Sequence, residues 1–211
     1  MSTERKDFDS VAASWDEKPE RVRLANDVAD AIRSEISLTR DMDVLDFGCG
    51  TGLVALRLQP FVGSVTGADS SRGMLDILSA KIERLDLATV RTIHLDPDAI
   101  DTLPGPYHLI TSSMTLHHVP DIEPLLALFH RSITPGGYLA VADLDFEGGM
   151  FHGDGDGVFH PGFDRETLRR VFMEAGFRDV RDTTAAEIVK PDRTGARGRF
   201  SVFLMTGRKP D

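Results

Sequence analysis

Val44-Leu45-Asp46-Phe47-Gly48-Cys49-Gly50-Thr51-Gly52 takes an apolar run straight into three alternating glycines. Helical spacing begins at Leu53, so the stretch reads as strand, tight turn and helix N-terminus. Glycine suits the turn because the backbone must reverse sharply and let a neighbour approach closer than a Cβ allows. The first N–H groups of the helix have no intrahelical partner and face that turn. Outward from here the chain alternates. Short apolar runs at residues 42–47, 64–68, 90–95, 109–112 and 138–144 predict five strands, with helical patterns at 53–58, 72–85 and 122–133 between them. That order predicts parallel βαβ units with helices on both faces of one sheet.

The flanks fit the same domain. Residues 21–36 set Leu24, Val28, Ala31, Ile32 and Ile36 on one helical face, with Pro19 just ahead, and residues 8–15 predict a further helical turn. Pro135-Gly136-Gly137 is expected to stop the 122–133 helix before the fifth strand. Residues 145–163 form a glycine-rich loop, of a length that is usually functional or mobile. Asp164 then caps a helix carrying Leu168, Val171, Phe172 and Ala175, which ends at Gly176. Two strand-like runs, 180–189 and 200–206, follow around a charged turn at 190–199; with no helix between them they should pair antiparallel.

Composition narrows the function classes. The 211 residues suit one domain, and 34 Asp plus Glu against 24 Lys plus Arg leave a formal charge of −10. Such an acidic chain is a poor candidate for holding nucleic acid by phosphate neutralisation. A single cysteine excludes an intramolecular disulfide and a cysteine-clustered zinc site. No apolar run is long enough to span a bilayer, and residues 1–16 lack the apolar core of a signal peptide. A soluble cytoplasmic protein, monomer or homodimer, is expected.

The ligand of the glycine loop follows from its details. A dinucleotide fingerprint would need a third glycine at position 53, which is Leu53, and no Gly-Lys-Ser/Thr follows for a P-loop. Asp46, two residues before Gly48, would repel a pyrophosphate and suits a ligand carrying an ammonium group. Asp69 ends the second strand seventeen residues past Gly52, where an acidic side chain can accept two ribose hydroxyls or cap the next helix.

These motifs together resemble the class I S-adenosylmethionine-dependent methyltransferases: Asp46 to Gly52, Gly67-Ala68-Asp69 with Met74-Leu75, and Leu139 after Pro135-Gly136-Gly137. Phe8-Asp9, Ala12 and Trp15-Asp16 resemble the N-terminal lid of the small-molecule members. The resemblance runs from about Phe8 to Lys209 and implies a Rossmann-like α/β sheet of seven strands, order 3-2-1-4-5-7-6, with strand 7 antiparallel. It divides the single domain into a lid at 1–37, a cofactor core at 38–144, an acceptor-site loop at 145–163 and a C-terminal helix and strand pair at 164–211. It implies S-adenosylmethionine as cofactor and S-adenosylhomocysteine as product. Gly48, Gly50 and Gly52 would line the methionyl part with Asp46 near its ammonium group. Asp69 and the adjacent Ser70 would hold the ribose, Asp96 the adenine amino group, and Met74 and Leu95 the adenine ring. Ser112 would offer backbone near the methionyl group. Tyr107-His108 stands where the family often has Phe-Asp, a position that is usually structural.

The acceptor side is less defined. Ser113-Met114-Thr115-Leu116-His117-His118 follows the fourth strand beside the switch point of the sheet, and His117 or His118 can serve as a base or simply pack the loop. Asp143, Asp145, Glu147, His152, Asp154, Asp156 and His160 could suggest a metal site; a loop shaping the acceptor pocket is the favoured reading, with no metal. Trp15, Met114, Asp145, His152 and His160 are the pocket candidates, and His160 could equally buttress the turn before the 164–176 helix. Nucleic-acid amino methylation is disfavoured because Ser112-Ser113-Met114-Thr115 replaces the Asn/Asp-Pro-Pro-aromatic motif. The reading is methyl transfer to a small molecule; a cofactor-binding regulator without turnover is the alternative.

Overall fold

The computed structural model describes residues 7–96, 101–152 and 157–211. A 3₁₀ helix, Asp9–Glu17, leads into α1 (Pro19–Glu35), which starts on a proline whose missing N–H costs nothing at a helix's first position. Then come β1 (Asp43–Phe47), α2 (Leu53–Leu58), β2 (Ser64–Asp69), α3 (Arg72–Leu85), β3 (Val90–His94) and β4 (Tyr107–Ser113). The chain continues through α4 (Ile122–Ser132), β5 (Ile133–Leu144), α5 (Arg165–Glu174), β6 (Arg178–Pro191) and β7 (Arg197–Arg208). The seven strands form one sheet in the order β3-β2-β1-β4-β5-β7-β6, parallel except for β7, as expected.

Both faces of the sheet are covered, which is why the central strands read as nearly unbroken apolar runs. Leu45, Phe47, Ile110, Leu139, Val141, Phe203 and Met205 face α4 and α5 through Leu126, Phe129, Leu168 and Phe172. Val44, Val65, Leu109, Ala140, Ala142 and Leu204 face α1 and α2 through Val28, Ala29, Ile32, Ala55 and Leu58. Each fully buried side chain of this size contributes about 1.5–3 kcal/mol. No helix among the described residues is long and apolar enough to cross a membrane.

Three boundaries differ from the sequence expectation. β5 begins at Ile133, so Pro135-Gly136-Gly137 lies inside the strand, at a register shift against β4, with Gly136 at φ +76°. A glycine in the left-handed region lets the chain bulge there without leaving the ladder. β6 and β7 are longer than 180–189 and 200–206, because Asp192 makes a tight turn by accepting the N–H groups of Thr194 and Ala196. On one face of this hairpin Arg199 meets Glu187 at 2.7 Å, and on the other Lys190 lies over the Phe151 ring. Residues 8–15 take the 3₁₀ form described above.

Candidate active site

The order of the sheet reverses between β1 and β4, and the loops that leave the carboxyl ends of β1, β2, β4 and β5 gather above that point. The glycine loop is fixed from β2, whose Ala68 carbonyl accepts the N–H groups of Gly48 (2.8 Å) and Cys49 (3.1 Å). Gly48 and Gly50 have φ +71° and +53°, a region other residues rarely adopt. A Cβ on Gly48 would collide with the Thr115 side chain, whereas one on Gly50 would meet only Met74 Sδ, at 3.9 Å. The loop is therefore closed on the Thr115 side and open above Gly50.

Asp69 joins the two loops of this half. Its Oδ2 accepts the Gly50 N–H (2.7 Å) and its Oδ1 the Ser71 N–H (2.9 Å). Burial pushes its carboxyl up despite the N–H bonds from Ser71, Gly50 and Ser70. Asp46 lies under the loop at 1% exposure, and its Oδ2 accepts the Ala55 N–H (3.1 Å) in the first turn of α2. Burial raises its carboxyl to about 7; the Ala55 bond opposes this and the charge of Asp69 adds to it. Met74 and Leu95 are buried nearby: Met74 N–H is capped by Ser71 Oγ (3.1 Å) and Leu95 N–H donates to the Asp69 carbonyl (2.8 Å). Ser70 is exposed and its carbonyl accepts His94 Nε2 (3.1 Å); Asp96 is exposed beyond β3. Ser112 is buried beside Phe47, and its Oγ has no hydrogen-bond partner among the described residues.

The other half is built on the loop after β4. Met114 sits at φ +55°, strained for a side chain of its kind, while its N–H holds the Ala142 carbonyl at 2.8 Å. The strain turns the chain into Leu116-His117-His118. His117, 1% exposed, donates Nδ1–H to Asp143 Oδ1 at 2.7 Å, and its backbone N–H reaches Oδ2 at 3.3 Å. Leu144 N–H adds a third bond to Asp143. Burial alone would raise the Asp143 carboxyl, but the charge and hydrogen bond of His117 with the two N–H groups hold it below the usual carboxylate range. Nδ1 of His117 carries a proton in either state of the ring, so Nε2 is the nitrogen that can take one up. His118 donates Nδ1–H to the Gly157 carbonyl (2.8 Å).

Ring contacts run on from these two residues. The centroids of His117 and His118 are 4.1 Å apart; His117 meets His152 at 4.8 Å and His152 meets Phe151 at 4.7 Å. On the other side His118 meets Phe8 at 5.3 Å, and Phe8 meets Trp15 at 5.9 Å. Three of the expected pocket residues join this cluster: His152 against His117, Trp15 through Phe8, and Met114 in the loop that carries the pair. Two others do not. Asp145 is taken by Nε and Nη2 of Arg165, each at 2.6 Å, and by Ser201 Oγ at 2.6 Å, so its carboxylate ties the 145–163 loop to α5 and β7. His160 donates Nε2–H to the Val119 carbonyl (2.9 Å) and packs on Phe163, the buttress of the turn before α5. Asp154 and Asp156 lie outside the described residues. Among the described residues no group of three or more His, Cys, Asp or Glu is arranged to hold a metal ion.

A family model described as a methyltransferase domain matches residues 21–182. The chain belongs to the class I S-adenosylmethionine-dependent methyltransferases. An uncharacterized methyltransferase of Schizosaccharomyces pombe is 29% identical over 154 residues, 66% of this chain and 54% of that protein. A ubiquinone biosynthesis O-methyltransferase of Hydrogenovibrio crunogenus is 28% identical over 148 residues, 68% of this chain and 61% of that one. The match thus spans little more than half the length of these curated relatives. Among solved structures, a chain from the complex between the Haloferax volcanii Trm112 methyltransferase activator and a putative methyltransferase superposes with a TM-score of 0.75 at 18% identity, covering 99% of this chain and 100% of that one.

The electrostatics of this methyltransferase suit its cofactor, S-adenosylmethionine, which carries an ammonium and a sulfonium. Asp46 and Asp69 both resist ionisation because they are desolvated, with the charge of Asp69 adding to this at Asp46 and that of Asp9 at Asp69, a strain that a bound cation relieves. Asp69 accepts N–H groups from Gly50, Ser71 and Ser70, and a carboxylate has about four acceptor sites, so some acceptor capacity remains. The sequence places Asp46 near the cofactor ammonium; the structure shows its Oδ2 held by the Ala55 N–H of α2 beneath the glycine loop. Two features escaped sequence reasoning. Asp143 as the partner of His117 had one signal, a lone carboxylate inside the apolar run 138–144. The bonds from Asp9 and Asp16 to the cofactor loops had none.

Proposed function

We propose that this methyltransferase transfers the methyl group of S-adenosylmethionine to a small-molecule acceptor by in-line displacement. The observation that carries the reading is Asp69, bridging the glycine loop to the loop after β2 in a site that favours a cation, while Gly48 of the same glycine loop accepts the Thr115 hydroxyl, two residues before the histidine pair. The cofactor, when bound, supplies a methyl group already activated on a positively charged sulfur. What the chain must add is alignment and exclusion of water, and alignment of this kind can supply roughly 7–11 kcal/mol. The shell of rings from Trp15 through Phe8, His118, His117 and His152 gives a water-poor wall for the acceptor. His117, oriented by Asp143, takes the proton when the acceptor must lose one, with His118 packed on it; Met114 turns the loop toward the cofactor. Gly48, Gly50 and Gly52 line the methionyl part, Asp69 and Ser70 the ribose, Asp96 the adenine amino group, and Met74 and Leu95 the ring. Ser112 lends backbone near the methionyl group.

A small acceptor is supported by the named role of the Hydrogenovibrio relative in ubiquinone biosynthesis and by the acidic surface, which disfavours nucleic acid. We place the protein in the cytoplasm as a monomer or homodimer. The test uses methyl-labelled S-adenosylmethionine with a panel of phenols, quinols, amines and thiols. Label should appear in an extractable acceptor, and His117→Gln should lower the rate about 10²-fold or more if a proton is removed. Label that stays on the cofactor with every acceptor would defeat the reading.

A further inference from the structure

Two loops meet across the seam between β1 and β4, and each is fastened to its outer neighbour. The glycine loop after β1 is held by β2: Gly48 and Cys49 N–H donate to the Ala68 carbonyl (2.8 and 3.1 Å), and Gly50 N–H donates to Asp69 (2.7 Å). The loop after β4 is held by β5, at two successive residues. Met114 N–H donates to the Ala142 carbonyl (2.8 Å), and His117 bonds Asp143 through Nδ1 (2.7 Å) and its backbone N–H (3.3 Å). The pairing of β1 with β4 ends at Phe47 and Ser112, before either loop begins. The methyl group has to cross this seam, from a donor held by the first loop to an acceptor beside the histidines of the second.

Thr115 closes the gap. It stands between Met114 and His117, so the two bonds to β5 fix the turn on both sides of it. Its Oγ1–H is shared between the Gly48 carbonyl across the seam (3.3 Å) and the Ser113 carbonyl of its own loop (3.1 Å). The fit is steric as well. A Cβ built on Gly48 would lie 2.2 Å from Thr115 Oγ1, 2.4 Å from its Cγ2 and 2.8 Å from its Cβ, so the threonine fills the space that the glycine leaves. Atoms packed this closely transmit a displacement instead of absorbing it. The body of the side chain therefore sets how near the two loops come, and the hydroxyl holds them in register.

We propose that Thr115 is a positioning residue for methyl transfer, whose side chain sets the spacing of the glycine loop from the histidine loop and with it the line from donor to acceptor. The proposal rests on the function proposed above, with the donor on the glycine loop and the acceptor beside the histidine pair. Transfer in line is sensitive to such spacing, since a misplacement of about 1 Å can cost 10²-fold in rate. Wild type, Thr115→Ala, Thr115→Val and Thr115→Ser are compared as full chains, using the acceptor that takes up label from the panel above. Calorimetry on the same four proteins measures S-adenosylhomocysteine binding. Thr115→Ala should lower kcat about 10–10²-fold, while KM for S-adenosylmethionine and affinity for S-adenosylhomocysteine stay within about twofold of wild type. That split marks an interaction realised in the transition state and not in binding. Thr115→Val keeps the shape and Thr115→Ser the hydroxyl, so each should recover part of the rate. A Thr115→Ala kcat within about threefold of wild type, or a loss of rate matched by an equal loss of cofactor affinity, overturns the positioning role and leaves the methyl-transfer reading standing. Wild type that labels no acceptor overturns both.

Discussion

Replacing Asp143 by alanine removes the acceptor of three donors in a place water does not reach. His117 Nδ1–H, His117 N–H and Leu144 N–H all end on this carboxylate, and both side chains are at or below 1% exposure. An unsatisfied buried donor costs about 1–3 kcal/mol, and breaking a buried charged pair about 3–5 kcal/mol. These describe the same loss from two sides, so about 4 kcal/mol is expected rather than their sum. For a domain of this size that is a fall in Tm of roughly 8–16 °C. Asp143→Asn keeps an acceptor for His117 and should lose less. The pH dependence has a definite sign. Because the folded carboxyl is held below its unfolded value, its contribution is present above about pH 4 and is lost as the pH falls through the folded value. The alanine variant should lack that acid limb. Urea unfolding from neutral to acidic pH measures both effects. A loss below about 1 kcal/mol at neutral pH would mean that the pair is not the buried anchor described, and would remove the orienting partner from His117.

Two other substitutions probe the cofactor half. Gly48→Ala places a Cβ at φ +71° against Thr115, and the left-handed backbone alone costs about 1–2 kcal/mol. Thermal unfolding should show the loss, and adding Thr115→Gly should return the steric part of it. Asp46 gives the opposite pH signature to Asp143: with its folded carboxyl raised to about 7, its contribution is full below the unfolded value and fades as pH rises toward neutrality. Asp46→Asn should flatten the stability profile between roughly pH 4 and 8, seen by urea titration; an unchanged profile would contradict the desolvation described.

The sheet order, the glycine loop and its acidic partners were legible because they depend on local pattern. An apolar run that ends in Gly48, Gly50 and Gly52 can do little else than turn, and Asp69 follows at the distance one helix and one strand require. The β6–β7 hairpin reads short in the sequence because Lys190 and Arg199 look like turn residues, whereas Lys190 lays its ammonium over the Phe151 ring and Arg199 pairs with Glu187 of the neighbouring strand. Contacts between distant segments were not legible. Asp143 lies 26 residues beyond His117, and Asp16 35 residues before Thr51; nothing in local spacing predicts either meeting. For the same reason Asp145 read as a pocket residue, because its capture by Arg165 and Ser201 depends on how α5 and β7 pack.

The measurement that bears most directly on the account is calorimetric titration of S-adenosylhomocysteine into wild type and Asp69→Ala. Asp69 bridges both cofactor loops through its two carboxylate oxygens. Wild type should bind at one site per chain, and the variant should lose about tenfold or more in affinity, the worth of at least one hydrogen bond to a charged group. Equal affinity in the two proteins, or no binding by wild type, would contradict the assignment of this site.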